Sequence, residues 1–256
     1  MSDAAFDLHI LILSEDSSVN ALPALRALTL SMLRLVDPSY QAKRVDLEPE
    51  GEDAQRAMHA NLWQGYKKSP ASHQKLITIA RTIARHLFDE RGFVLLHVDA
   101  DQAWKTREAP SDNLRRFHDV IRIHVSRAVD ALLERNQDRR RGVDIMGRLH
   151  LVSPYWCIES WLYQNTAVAK ELCHEHYRGL HAERFEEWER DPGALDEVDK
   201  PKGEVCLGNK HNHELAADRF PARAVDDVGK SFHETVERLR SSPALVAALA
   251  ATHPGY

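Results

Sequence analysis

One pattern constrains the fold of this chain more than any other: short apolar segments alternate with longer amphipathic ones. The apolar segments cover residues 8–14, 93–98 and 149–153, and each has the length and branched side chains of a buried β-strand. Between them, apolar residues recur at three- and four-residue steps over 21–35, from Ser72 to Gly92, and over 112–138. That spacing gives a helix one buried face. A weaker strand is predicted over 40–47.

Strands that alternate with helices of this length predict βαβ units and a parallel sheet. The fold class expected is therefore α/β, a Rossmann-like and mostly parallel sheet flanked by helices, over residues 1–165. Residues 166–256 have little strand character and are expected to form a mainly helical C-terminal extension packed on that domain. Further helices are predicted near 54–58 and from Tyr155 onward, and Ser18 or Asn20 is predicted to cap the first helix.

Composition narrows the function classes. The formal net charge is -5 and the pI is near 6.3, which argues against a polybasic protein held to nucleic acid by bulk charge. No apolar run approaches the roughly 18 residues of a membrane span. The N-terminus has no basic start typical of a signal peptide. We therefore expect a soluble cytoplasmic protein with no membrane partner, whose three cysteines are reduced.

Acidic residues follow each of the three predicted strands. Glu15 follows the first, Asp99 and Asp101 follow the second, and Glu159 lies shortly beyond the third. The carboxyl ends of parallel strands meet at one edge of a sheet, where open α/β folds bind their ligands. In an extended chain Asp99 and Asp101 would point to the same side and repel each other. A hard divalent cation such as Mg²⁺ (or Mn²⁺) relieves that repulsion, and Glu15 would complete the metal site or act as a general base.

These residues resemble the TOPRIM domain, which is shared by topoisomerases, primases and nucleases. Its signature is an N-terminal strand that ends in Glu and a later strand that ends in Asp-x-Asp. The matching segments are Ile10-Leu11-Ile12-Leu13-Ser14-Glu15 and Val94-Leu95-Leu96-His97-Val98-Asp99-Ala100-Asp101. The segment Ile158-Glu159-Ser160-Trp161-Leu162 is similar to the Glu-x-Trp segment of small bacterial members of the overcoming-lysogenisation-defect and abortive-infection kinds. The resemblance covers roughly residues 8–165.

The resemblance implies a Mg²⁺-dependent nuclease that cleaves phosphodiester bonds of DNA or RNA, in bacterial defence against phage. Glu15, Asp99, Asp101 and Glu159 would hold one or two metal ions, and Glu15 could instead be the base. A lysine assists at the metal site in nuclease members, which favours Lys210, followed by Lys202. The chain has no Gly-x-x-x-x-Gly-Lys motif, so an ATPase would have to be a partner protein.

Other interpretations fit the same residues. Asp-x-Asp after a strand is common because Asp favours turns and helix caps. The acidic edge could belong to a non-catalytic binding module or to a nucleotidyl or phosphoryl transferase. The Gly- and Lys-containing segment 208–213 could be an ordinary surface loop, and the Cys and His residues of the C-terminal third could bind zinc or lie on a solvated helix face.

Overall fold

The computed structural model describes residues 7–15, 21–48, 69–217 and 219–253. Four parallel strands form one sheet: β1 (Leu8–Ser14), β2 (Val45–Glu48), β3 (Gly92–His97) and β4 (Leu149–Val152). Their order is β2-β1-β3-β4. The predicted parallel α/β class is therefore confirmed. The helical piece near 54–58 and the caps at Ser18 and Asn20 lie outside the described residues.

Helices surround this sheet. The N-terminal helices are α1 (Ala21–Val36), α2 (Pro70–Phe88), α3 (Asp112–Arg116), α4 (Arg122–Asn136) and α5 (Gly142–Met146). The C-terminal ones are α6 (Glu159–Leu162), α7 (Thr166–Tyr177), α8 (Ala182–Arg190), α9 (Asn212–Ala217), α10 (Ala222–Asp227), α11 (Ser231–Arg240) and α12 (Pro243–Ala250). Short 3-10 turns cover Ala42–Arg44, Trp104–Thr106, Pro192–Glu197, Pro201–Gly203 and Asn209–His211.

The long helix predicted over 112–138 is present with one irregularity. A π-helical turn, Phe117–Ile121, joins α3 to α4 without a break in the helical path. Such a turn inserts an extra residue and rotates the side chains that follow it. The helix ends at Asn136 because Gln137 adopts a left-handed conformation, with φ of 51°.

The two faces of the sheet have separate hydrophobic cores, because side chains alternate along each strand. Leu11, Leu13, Val94 and Leu96 pack on one face with α2 and α4. The opposite face packs against α1 and the C-terminal helices and carries Ile10, Ile12, Phe93, Leu95 and Val152. The helical C-terminal region thus shares a core with the sheet: the rings of Trp161 and Phe232, on either side of residue 165, lie 5.2 Å apart. No helix in the described part of the chain is long and apolar enough to cross a membrane.

The turn from α2 into β3 depends on a buried arginine. Arg148, 7% exposed, donates hydrogen bonds from its guanidinium to the carbonyls of Leu87, Asp89 and Gly92. Glycine is required at position 92, since a Cβ there would lie 1.9 Å from the carbonyl oxygen of His86. The arginine therefore satisfies carbonyls that the end of a helix leaves without partners.

Replacing Arg148 with Met should destabilise the fold by about 2–4 kcal/mol, because the buried carbonyls of Leu87 and Gly92 lose this donor while the apolar stem is kept. Arg148→Lys should recover only part of this loss, since an ammonium lacks the planar fork that reaches separate acceptors. Urea unfolding measures both effects. Arg85→Met, on the exposed side of α2, is the matched control. Equal midpoints for Arg148→Met and Arg85→Met would contradict the capping role.

Candidate active site

The carboxyl ends of β1, β3 and β4 lie level with one another. Ser14 pairs with His97 in the register of β1 and β3, and His97 pairs with Val152 in that of β3 and β4. Residues that follow these strands therefore emerge at the same edge of the sheet. We call this the acidic edge, formed by Glu15, Asp99, Asp101 and Glu159.

The segment after β3 is held by the segment after β4. The amide of Ala100 donates to the carbonyl of Pro154 at 2.9 Å, and that of Gln102 donates to the carbonyl of Tyr155 at 3.0 Å. The helix predicted to start at Tyr155 begins instead at Glu159, because the residues before it continue alongside the β3 extension. This pairing fixes the backbone that carries Asp99 and Asp101.

Asp101 departs from the extended conformation expected for the Asp pair. Its φ is 52°, in the left-handed region, which Asp and Asn tolerate better than most residues. Asn113, at the start of the long helix, donates its side-chain amide to Asp101 Oδ2 at 2.8 Å and to the carbonyl of Asp99 at 2.9 Å. Asn113 therefore holds the Asp101 carboxylate and the Asp99 backbone, and simple strand alternation does not set the relative position of the two acidic side chains.

Glu15 lies directly beside Asp99, as the sequence predicts. Its carboxylate accepts a hydrogen bond from the Asp99 amide. Its own amide donates to the carbonyl of His97 at 3.3 Å. The first and third strands thus bring Glu15 and the Asp pair to one place.

His97 links β1 to the acidic edge and was not singled out by the sequence. It is 1% exposed, and its Nδ1 lies 3.0 Å from the hydroxyl of Ser14. Its Nε2 lies 3.2 Å from Asp99 Oδ1. A signal in the sequence could have identified His97. Two apolar strands each end in a polar residue, Ser14 and His97, and these two residues pair in register.

Glu159 reaches the acidic edge from α6. It is 2% exposed and accepts a hydrogen bond from the side-chain amide of Asn212 at 3.1 Å. Its charge acts on Asp99 and contributes to raising the pKa of that residue.

Burial and the neighbouring Glu159 also raise the pKa of the Cys157 thiol. Cys157 is therefore unsuited to act as a thiolate nucleophile.

The acidic edge carries unfavourable negative charge. Burial, followed by repulsion from Asp99, raises the pKa of Glu15 to about 7. Burial also raises the pKa of Asp99, with Glu159 and Asp101 adding to the effect although His97 opposes it. For Asp101 burial again raises the pKa, and Asn113 and Lys200 oppose the change. Shifts of this kind are characteristic of functional sites.

Among the described residues, Lys200 is the lysine whose charge acts on Asp101 at this edge. Its charge lowers the pKa of Asp101, while the adjacent Asp199 raises it.

Lys210 lies over Tyr177 instead, with its Nζ 5.4 Å from the ring centroid. Lys202 Nζ lies 3.4 Å from Asn209 Oδ1. Among the described residues, the structure provides no contact between Lys210 and the acidic edge, although Asn212, two residues later, contacts Glu159.

The donor set can be compared with the requirements of Mg²⁺. Carboxylates are the ligands that this ion prefers, and their mutual repulsion is what a bound cation would offset. In the described ranges, no three His, Cys, Asp or Glu side chains are already arranged around a common point as ligands. Oxygens of Glu15, Asp101 and Glu159 instead accept internal hydrogen bonds. The residues fit a magnesium ion in chemistry, and binding would require their side chains to turn toward it.

No protein-family model matches the chain, and no curated protein or solved structure matches it either.

Replacing Glu15 with Gln should stabilise the metal-free protein, and the gain should increase with pH. The folded-state pKa of about 7 exceeds the ordinary 4.5, so between these values the folded chain keeps a proton that the unfolded chain has lost. Raising the pH across this window therefore lowers the free energy of unfolding of the wild type. Glutamine cannot ionise and still accepts the hydrogen bond from the Asp99 amide.

Urea unfolding in EDTA at several pH values between 4.5 and 7 measures this difference. Glu186→Gln, at an exposed position of α8, is the control and should leave the pH profile unchanged. A gain for Glu15→Gln that stays constant across the window would contradict the raised pKa.

Proposed function

We propose that this protein is a Mg²⁺-dependent nuclease that hydrolyses phosphodiester bonds of DNA or RNA. The observation that carries the proposal is the meeting of Glu15, Asp99 and Asp101 at the carboxyl edge of a parallel sheet, with the pKa of each raised. An open α/β sheet binds ligands at this edge. The TOPRIM resemblance of the same residues supports the same reaction class.

Asp99 and Asp101 would hold the metal, and Glu159 would provide a ligand at a second position. A cation held by these residues would supply charge stabilisation at the phosphoryl oxygens and would lower the pKa of a bound water. Asn113 positions Asp101 through the hydrogen bond to Oδ2, and His97 positions Asp99 through its Nε2. These contacts support the orientation of the ligands in the way that outer hydrogen bonds do in metal sites.

Glu15 is assigned the role of general base. The pKa of Glu15 is about 7 in the metal-free protein, and a cation bound at Asp99 and Asp101 would lower it, which keeps the carboxylate ionised and able to accept a proton near neutral pH. The hydrogen bond from the Asp99 amide holds its carboxylate beside the metal ligands. Lys200, whose charge acts on Asp101, is assigned the role of stabilising the negative charge of the phosphate. The sequence had favoured Lys210 for this role.

The biological setting in this proposal comes from the resemblance alone. In that setting the protein acts in the cytoplasm in bacterial defence against phage, together with a separately encoded ATPase. A genomic neighbour with a Walker motif would support that setting.

Asp99→Asn and Asp101→Asn should each reduce hydrolysis at least about a hundredfold, since loss of a metal ligand removes several kcal/mol of transition-state stabilisation. Asparagine is chosen because it tolerates the left-handed backbone at position 101. The assay uses labelled single-stranded DNA, duplex DNA and RNA with Mg²⁺, Mn²⁺ or EDTA. Asp130→Asn, an exposed position on α4, is the control and should keep full activity.

The outcomes separate the competing functions. Hydrolysis that requires a divalent ion and is lost in both variants supports the proposal. Incorporation of labelled nucleotide without hydrolysis would identify a transferase, and nucleic-acid binding without turnover would identify a binding module. Hydrolysis that persists in EDTA or in Asp99→Asn would overturn the assignment of the acidic edge.

A further inference from the structure

A cavity lies at the outer edge of β4, among residues that the proposed nuclease reaction does not use. Its volume is about 540 Å³, within the range of small-molecule sites. Its walls come from the π-helical turn, the start of α4, the segment from α5 into β4, the end of α11 and the start of α12. We call it the β4 cleft.

Basic side chains converge in the β4 cleft. His118 and Arg122 line it from the long helix, His150 from β4 and Arg238 from α11. Burial lowers the pKa of both histidines, and the charges of Arg122 and Arg238 lower them further, although Asp119 opposes the change at His118. The pKa of His150 falls to about 4, so this histidine is neutral at pH 7. The positive charge of the cleft therefore belongs to Arg122 and to Arg238, and Glu234 offsets part of the Arg238 charge through an ion pair of 3.4 Å.

Polar atoms of the β4 cleft are left without partners in the part of the chain that the structure describes. His150 is 9% exposed, and its Nε2 has no hydrogen-bond partner there. Arg238 Nε also lacks one, although its other nitrogens reach Thr235 and Glu234. A buried polar atom without a partner is costly, and a bound ligand would satisfy it. The acidic residue of the lining, Asp144, is occupied by Arg141 through two hydrogen bonds of 2.8 Å.

The helix α12 adds to the same environment. It begins at Pro243, and residues 241–244 line the cleft. The N-terminus of a helix carries a partial positive charge and favours anions. Here the dipole is the contribution, because Pro243 has no N–H and the amides of Leu245 and Val246 already donate to Ser242. The lining also has an apolar part, which includes Val143, Met146 and Leu149.

We propose that the β4 cleft binds a phosphorylated small molecule of about mononucleotide size. Two guanidinium groups and a helix N-terminus suit the multiple oxygens and double charge of a phosphate monoester. His150 Nε2 would make a hydrogen bond to the ligand, and the apolar lining would contact its organic part. This site is separate from the acidic edge in its residues and needs no metal ion.

Isothermal titration calorimetry in EDTA, at an ionic strength of about 0.15 M to suppress weak charge attraction, tests the proposal. The probes are AMP, CMP and ribose 5-phosphate, with adenosine as the uncharged control. Saturable binding of at least one phosphorylated probe, and none of adenosine, is expected. Arg122→Gln should weaken that binding about tenfold or more, because one charge-assisted contact is lost.

Arg127→Gln is the matched control, since it removes the same charge from an exposed position on the same helix outside the cleft. It should leave the affinity within about twofold of the wild type. Arg122 is exposed, so its substitution should not unfold the protein, and the melting temperature checks this. Absence of saturable binding by all three phosphorylated probes, or equal weakening by both variants, would overturn the proposal. Because no metal is present, a failed nuclease assignment would not affect this result.

Discussion

The in-register parallel pairing of β1 with β3 is the constraint on which the candidate site depends. It sets Ser14 opposite His97, so the residues after both strands leave the sheet at one level. The Ser14–His97–Asp99 contacts then join the two strands beyond the ladder, and the Asp99 amide reaches the Glu15 carboxylate. Because strand side chains alternate, a slip of one residue would reverse the faces of Leu11 and Leu13 and separate these groups. The cores on both faces prevent that slip.

The acidic edge opposes folding, and the rest of the molecule compensates for it. Raised pKa values at Glu15, Asp99 and Asp101 mean that their ionised forms are less favourable in the folded chain than in water. The compensating interactions lie elsewhere, in two hydrophobic cores and in buried polar contacts. One example is Trp161, whose buried indole N–H donates to the Ser231 hydroxyl at 2.6 Å. Such a division between a strained site and a stable scaffold is common in functional proteins.

Periodicity alone predicts most of this fold. The strand over 8–14 and the buried positions Leu76, Ile79 and Ile83 of α2 follow directly from it, because burial of one face determines the spacing of apolar residues. The meeting of Glu15 with Asp99 was also predictable, since parallel strands share their carboxyl edge. The start of α6 was not, because hydrogen bonds from Ala100 and Gln102 hold the preceding residues out of a helix.

The remaining features of both sites come from contacts distant in sequence. Lys200 acts on Asp101 across about a hundred residues of chain, and Asn113 approaches the Asp pair from a separate helix. Neither residue has a local pattern that distinguishes it from a surface residue. The same holds for Arg122 and Arg238, which become one basic cluster only when α11 packs beside β4. Local sequence thus locates the strand ends, while tertiary packing selects the side chains that support them.

The central claim is that the acidic edge binds a divalent cation, and anomalous X-ray diffraction from crystals soaked in Mn²⁺ tests it most directly. The account predicts an anomalous peak within about 2.5 Å of oxygens of Asp99 and Asp101, the distance of metal–carboxylate bonds. The same soak of Asp99→Asn crystals should show no peak at that position. A wild-type crystal without a peak at the acidic edge, or with Mn²⁺ bound only elsewhere, would contradict the account.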